Sequence, residues 1–329
     1  MDSQNLITTK PDFLTNRLEM PYYLHRFDKL DSRYYYEVED RRDTIGDIVI
    51  HPYISITSLA NKVIPGGKQI DLWRASLGKD AEKYMVERAE FGTLFHKLAL
   101  DSLLGKSKIH KKGFDFDWLR KRDKTGMTNF ERMIPVEWRW AAGKWEWAFT
   151  RGLLAWFEFV RTTIDDVIAV EVTLRSKDGL FASTIDLVHT AKFYGKSQMC
   201  ITDIKSFLYA PEDDKKKGFY SPHEFQLEGC KKVWNENFPG EKVTMLFNWS
   251  PTQWRKEPGW TWKNQTKNQY ANKSKVGNKL MTGFEILLAF AKNQQYNVPP
   301  SNIIHVGGKI KNIKDFNWKD NIYELKITE

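Results

Sequence analysis

Asp166-Val-Ile-Ala-Val-Glu-Val-Thr-Leu-Arg-Ser176, Leu180-Phe-Ala-Ser-Thr-Ile-Asp-Leu-Val-His-Thr190 and Ser197-Gln-Met-Cys-Ile-Thr-Asp-Ile-Lys-Ser-Phe207 are three β-rich runs, and the fold turns on how they pair. Lys177-Asp-Gly179 and Tyr194-Gly195-Lys196 separate them and read as tight turns, so the pattern predicts a three-stranded meander. Asp186 and Asp203 then sit in apolar settings, where an unpaired charge is costly and a partner is needed. Strand side chains alternate with period two, which puts Lys205 on the same face as Asp203. Glu171, between Val170 and Val172, lies on the preceding strand, and a meander could bring it beside the other acids. Three carboxylates with one lysine describe an oxygen-rich site for a hard divalent cation, with an ammonium placed to orient or activate water. Such a set suits metal-dependent phosphodiester hydrolysis. Taken alone, Asp203 and Lys205 read more readily as a salt bridge at a sheet edge, and Glu171 as a residue facing water.

Upstream of the meander, the first fifty residues are polar and aromatic, carry a charged run from Tyr34 to Asp43, and read as an irregular arm. His51-Pro-Tyr-Ile-Ser-Ile-Thr-Ser-Leu-Ala60 offers Ser55 or Thr57 as N-cap of a short helix that Pro65-Gly66-Gly67 would stop. The pattern is helical from about Asp80 to Leu104 and apolar on most sides from Phe91 onward, the mark of a buried helix. Gly105 to Thr128 reads as a basic loop, and Val136 to Val160, with Trp138, Trp140, Trp145, Trp147 and Trp156, as helical packing. Downstream, Pro211 to Gly218 is a charged loop. His223 to Asn235 places Phe225, Gln226, Cys230 and Val233 at helical spacing, Glu241 to Trp249 is a further strand, and Phe284 to Lys292 a further helix. From Met85 the order is therefore helix, three strands, helix, strand, helix, without internal repeats.

The chain has 329 residues, 41% hydrophobic and 28% charged, enough to bury a core and solvate its surface, which excludes wholesale disorder. No stretch approaches the roughly 18 apolar residues of a membrane span, and the opening lacks the basic start and apolar centre of a signal peptide. A soluble, cytoplasmic protein is expected. Asn248-Trp-Ser250, Asn264-Gln-Thr266 and Asn272-Lys-Ser274 fit a glycosylation pattern but, without an export signal, carry no assignment. Cys200 and Cys230 are the only cysteines, which excludes a disulfide framework, a four-cysteine zinc site and a four-cysteine iron–sulfur cluster. The net charge of +9 suits a polyanionic partner. Trp254 to Lys275 sharpens that reading: Arg255, Lys256, Lys263, Lys267, Lys273 and Lys275 stand against Glu257 alone, interleaved with Trp260 and Trp262. Cations neutralise phosphates and aromatics stack on unpaired bases, although the same segment could be a solvated loop whose tryptophans cover the core.

Phe91-Gly-Thr-Leu-Phe-His96, Ser183-Thr-Ile-Asp186, Thr202-Asp203-Ile-Lys205 and the helix with Gln226 follow one another in an order that resembles the PD-(D/E)xK nuclease superfamily, in particular its RecB-like and RecE-like phage-type exonucleases. The resemblance spans roughly Tyr53 to Trp249. It implies His96, Asp186 and Asp203 as metal ligands, an added oxygen from the Ile204 carbonyl, and Lys205 as the catalytic lysine that positions the attacking water. Glu171 would be a ligand, a water-mediated ligand or an acceptor behind the ligands. Ser183 stands where the family often has glycine. Gln226 matches the Gln-x-x-x-Tyr motif, with Cys230 in the tyrosine's place, and His51 to Leu59 is similar to the family's Ser-x-Ser/Thr-x-Leu entry segment. His189 and His223 lack such a context and read as structural.

The implied fold is α/β, a restriction-nuclease-like mixed central sheet flanked by helices, with residues 1–80 as an N-terminal arm and helical elaboration and 81–329 as the nuclease domain. The implied function is Mg²⁺- or Mn²⁺-dependent DNA exonuclease activity in phage-type recombination or replication, in the host cytoplasm if phage-encoded, without an iron–sulfur cluster. Implied partners are DNA, a single-strand annealing or binding protein, and further copies in a homo-oligomer. Alternatives are a structure-specific or flap endonuclease, and a non-catalytic DNA-binding recombination protein on a decayed nuclease fold.

Overall fold

The computed structural model describes residues 7–8, 11–29, 32–41, 47–64, 75–76, 78–104, 121–128, 132, 142–206, 219–252, 259–296 and 304–305. In chain order these hold β1 (Ile7–Thr8), β2 (Phe13–Leu14), β3 (His25–Lys29), β4 (Ser32–Arg41), β5 (Asp47–Ile54), α1 (Ile56–Val63), α2 (Ala81–Leu103) and α3 (Ala142–Thr163). There follow β6 (Asp166–Arg175), β7 (Ala182–Phe193), β8 (Lys196–Ile204), α4 (Ser221–Asn237), β9 (Met245–Thr252), β10 (Gly259–Asn264), β11 (Lys273–Val276), β12 (Lys279–Thr282), α5 (Gly283–Asn293) and β13 (Ile304–His305).

The three β-rich runs form the expected meander. Tyr194 and Gly195 link β7 to β8 with φ of 51° and 77°, and Phe193 pairs with Lys196 across this two-residue turn. Positive φ at both central positions defines the turn whose twist matches the strands, and Gly195 adopts it without strain. The meander lies within a six-stranded sheet of order β10-β9-β8-β7-β6-β2, in which only β8 and β9 run parallel. A parallel pair needs a crossover, and α4 lies on that connection.

Both faces of this sheet are covered, so the protein is a mixed α/β structure with a central sheet between helices. On one side α1, α4 and α5 bury Leu59, Phe225, Trp234 and Leu288 against Ile168, Ile185 and Ile201. On the other α2 and α3 bury Phe95, Phe149, Trp156 and Phe159 against Val170, Leu187, Ile204 and Trp249. Ser55 is the N-cap of α1, its side chain accepting from Ser58 N at 3.0 Å. Among the described residues, no helix is long and apolar enough to cross a membrane.

The N-terminal region departs from the sequence expectation. In place of an irregular arm with a helical elaboration, its described residues hold β1, β3, β4 and β5, which join β13 in an antiparallel sheet of order β1-β3-β4-β5-β13, and the only helix longer than a turn among the described residues before 81 is α1. Tyr34, Tyr35 and Tyr36 are good strand formers, but aromatics on both faces of β4 hide the period-two pattern. Tyr35 packs with Leu24, Tyr53 and Ala182, and its hydroxyl lies 2.8 Å from Thr184 Oγ1. Glu37, in the charged run, accepts from Arg175 Nε at 2.6 Å and from the Tyr53 hydroxyl at 3.0 Å, tying this sheet to β6. The Pro65 to Gly67 stop, Trp138, Trp140 and Lys215 to Lys217 lie outside the described residues.

Candidate metal centre

Helix α2 reaches the site because its apolar residues lock it to α3 and β9. Phe91 stacks on Phe149 with ring centroids 4.7 Å apart, Phe95 stacks on Trp249 at 6.1 Å, and Trp156 Nε1 donates to the Ala99 carbonyl at 2.8 Å. One residue turns a helix by about 100°, so with Phe95 in the core His96 swings toward the sheet. Gly92 permits the close approach: a Cβ there would lie 2.9 Å from Ser206 Oγ, just past the end of β8.

His96 bridges two carboxylates, with Nδ1 3.1 Å from Glu171 Oε1 and Nε2 2.8 Å from Asp186 Oδ2. Asp186 Oδ2 also accepts from the Ile204 amide at 2.8 Å. Glu171 has φ 53°, a left-handed conformation that costs a non-glycine residue roughly 1–3 kcal/mol and clusters at functional sites. One ligand atom from each of His96, Glu171 and Asp186 lies within 4.8 Å of the others, a half-buried group able to hold a metal ion.

Asp203 forms a second cluster beside the first. Its Oδ1 accepts from Lys205 Nζ at 2.9 Å and Gln226 Nε2 at 3.1 Å, its Oδ2 from Asn248 Nδ2 at 2.7 Å, and Lys205 also donates to Gln226 Oε1 at 3.2 Å. Of the expected ligands His96, Asp186, Asp203, Ile204 and Glu171, the three-ligand group brings together His96, Glu171 and Asp186, while Asp203 sits in the neighbouring cluster and the Ile204 amide donates to Asp186. The two clusters meet where β7–β8 pairing ends: beyond the pair Leu187 and Thr202, the Ile204 amide donates to the Asp186 carboxylate.

Burial opposes charge on the His96 ring, but Asp186 and then Glu171 overcome it and hold its pKa well above the ordinary histidine value. Burial likewise works against the Asp186 carboxylate, yet His96, Lys205 and the Ile204 amide bring its pKa below the usual range. For Asp203 burial prevails, and with Asp186 nearby it pushes the pKa up to about 6 against the pull of Lys205. The Lys205 ammonium overcomes its own burial through Asp203 and Asp186, and its pKa is raised. It is a donor and a fixed positive charge, not a base.

The other sequence candidates take different places. Trp260 and Trp262, on edge strand β10 rather than in a loop, turn inward: Trp262 stacks on Phe247 at 3.8 Å and donates Nε1 to Thr202 Oγ1 at 3.2 Å, and Trp260 meets Phe159 edge-on at 6.4 Å. Lys263, Lys267 and Lys273 are exposed, whereas Arg255 and Lys256 lie outside the described residues. His189 is buried between Thr202 Oγ1 at 2.8 Å and the Thr190 carbonyl at 3.2 Å, and burial lowers its pKa to about 4. His223 accepts at Nδ1 from the Tyr220 amide at 3.2 Å, its pKa lowered to about 3 by burial and then by Lys205. Cys230 lies 3.2 Å from Ser183 Oγ, and burial pushes its thiol up to about 12. Asn248, which carried no functional assignment in the sequence, is the residue missed; a lone amide inside the apolar run Met245 to Trp249 was its signal.

One imidazole nitrogen and two carboxylates are a fitting donor set for a divalent cation. Ligation needs neutral imidazole, so binding must expel the His96 proton. Mn²⁺ binding is expected to release about one proton near neutral pH and to weaken about tenfold per pH unit as pH falls. Calorimetry in buffers of different ionisation enthalpy checks this; a buffer-independent heat would contradict it. Without metal the sign reverses for stability: the His96 contribution is complete below about pH 6.5 and is lost as pH rises through its raised pKa. A scan against family models finds no match for this chain, and a search of curated proteins finds none either.

Proposed function

We propose that this protein is a Mg²⁺- or Mn²⁺-dependent nuclease that hydrolyses DNA from its ends. The observation that carries the reading is the junction at Asp186: its carboxylate holds His96 of the metal-capable trio and the amide of Ile204, between Asp203 and Lys205. A bound divalent cation would supply Lewis acidity toward a phosphoryl oxygen and lower the pKa of water. The chain's own groups supply the rest. His96, Glu171 and Asp186 hold and orient the ligand atoms. Lys205 has three N–H donors, of which two go to Asp203 and Gln226. The third, among the described residues, is available to the attacking water or to a phosphate oxygen, where a fixed charge in a half-buried site stabilises developing negative charge.

Substrate contact is assigned to Lys263, Lys267 and Lys273, which are exposed as phosphate neutralisation requires, and, from the sequence alone, to Arg255 and Lys256 of the same basic run. Trp260 and Trp262 are left out of that surface because their rings pack on Phe159 and Phe247. The order of His96, Asp186, Asp203 and Lys205, which resembles that of RecE-like exonucleases, supports action at ends. With Mn²⁺, end-labelled linear DNA is expected to go to nucleotides or short fragments while covalently closed circles persist. Rapid cleavage of the circles would replace this reading with an endonuclease.

A further inference from the structure

We propose that Asn248 is a positioning residue that fixes the rotation of the Asp203 carboxylate, keeping one oxygen toward Lys205 and Gln226. The inference rests on the reading of Asp203 and Lys205 as reaction machinery. Asn248 stands opposite Asp203 in the parallel β8–β9 register, is fully buried, and donates from Nδ2 to Asp203 Oδ2 at 2.7 Å. Its own Oδ1 accepts from Gln265 Nε2 at 3.2 Å. An ionised carboxylate can only accept, so the amide must present nitrogen to Asp203 and oxygen to Gln265. The hydrogen-bond network thus determines an orientation that the shape of the amide does not.

Gln265 is also buried and held independently of the site. Its backbone amide donates to the Leu246 carbonyl at 2.8 Å, and its carbonyl accepts from Asn268 Nδ2 at 2.7 Å. Asn268 is fixed in turn by the amides of Tyr270 and Ala271, at 2.7 and 2.9 Å from its Oδ1. A carboxylate rotates in a broad two-fold well. Pinning Oδ2 from a rigid strand leaves Oδ1 for Lys205 and Gln226. Burial of both Asn248 and Ser250 also excludes a glycan at this tripeptide in the folded chain.

The test compares Asn248→Leu, Asn248→Ser and Gln265→Leu with the full-length wild type, using steady-state hydrolysis of linear DNA and the ¹⁵N signal of the Lys205 ammonium, identified by its loss in Lys205→Met. Asn248→Leu is expected to lower kcat about 10–100-fold at unchanged KM and to shift or broaden the Lys205 signal. Asn248→Ser, which keeps a donor, should recover part of both, and Gln265→Leu should shift both in the same direction by less. Where Asn248→Leu does not fold, Gln265→Leu carries the comparison. Wild-type kcat and an unmoved Lys205 signal in the folded variants would overturn the role of Asn248. Absence of hydrolysis in the wild type would instead remove the nuclease reading, and the Lys205 signal would still decide the positioning.

Discussion

Asp186→Ala is expected to weaken Mn²⁺ binding by about 100-fold or more and DNA hydrolysis by on the order of 10³, in a protein that stays folded. Asp186 joins the two halves of the site, accepting from His96 and from the Ile204 amide through one oxygen. Removing it takes away a ligand and frees the His96 ring to turn about its remaining contact with Glu171. The fold should survive because the buried residues on either side of it, Ile185 and Leu187, pack into two separate clusters that the substitution leaves in place. Calorimetric Mn²⁺ titration with a thermal melt reads both effects. Wild-type Mn²⁺ affinity in folded Asp186→Ala would remove Asp186 from the metal centre.

Lys205→Met should have the complementary signature, with hydrolysis down about 10²- to 10³-fold and Mn²⁺ affinity retained. An ammonium has no lone pair to give a metal, so its loss cannot remove a ligand. Methionine keeps much of the side chain's packing. Breaking a buried ion pair usually leaves a costly uncompensated charge, but Asp203, already pushed up to about 6, can take a proton instead. The variant should therefore melt closer to wild type at pH 6 than at pH 8. Loss of Mn²⁺ binding in folded Lys205→Met would show that Lys205 organises the ligands rather than the reaction.

Periodicity made much of this legible. The meander, α2 and α4 follow from alternation and helical spacing that burial on both sides of the sheet enforces, and of the two N-caps the sequence offered for α1, Ser55 and Thr57, Ser55 is the one used. β4 was hidden because Tyr34 to Tyr36 place aromatics on both faces, and Glu37 makes sense only once Arg175 arrives from a distant strand. Alternation placed Lys205 beside Asp203 but could not show where β7 and β8 part, nor that Glu171 lies within reach of His96 and Asp186. Nor could it show the left-handed backbone of Glu171, since glutamate carries no sign of that conformation. The tryptophans of β10 read equally as base-stacking or core residues until Phe247 and Phe159 were seen beneath them.

The most direct test follows Mn²⁺ occupancy of the wild-type protein by calorimetry and, over the same Mn²⁺ concentrations, the rate of label release from linear DNA. The two curves are expected to rise together, with release abolished by EDTA and absent in Asp186→Ala. A folded, Mn²⁺-saturated wild-type protein that leaves linear DNA intact would contradict the account.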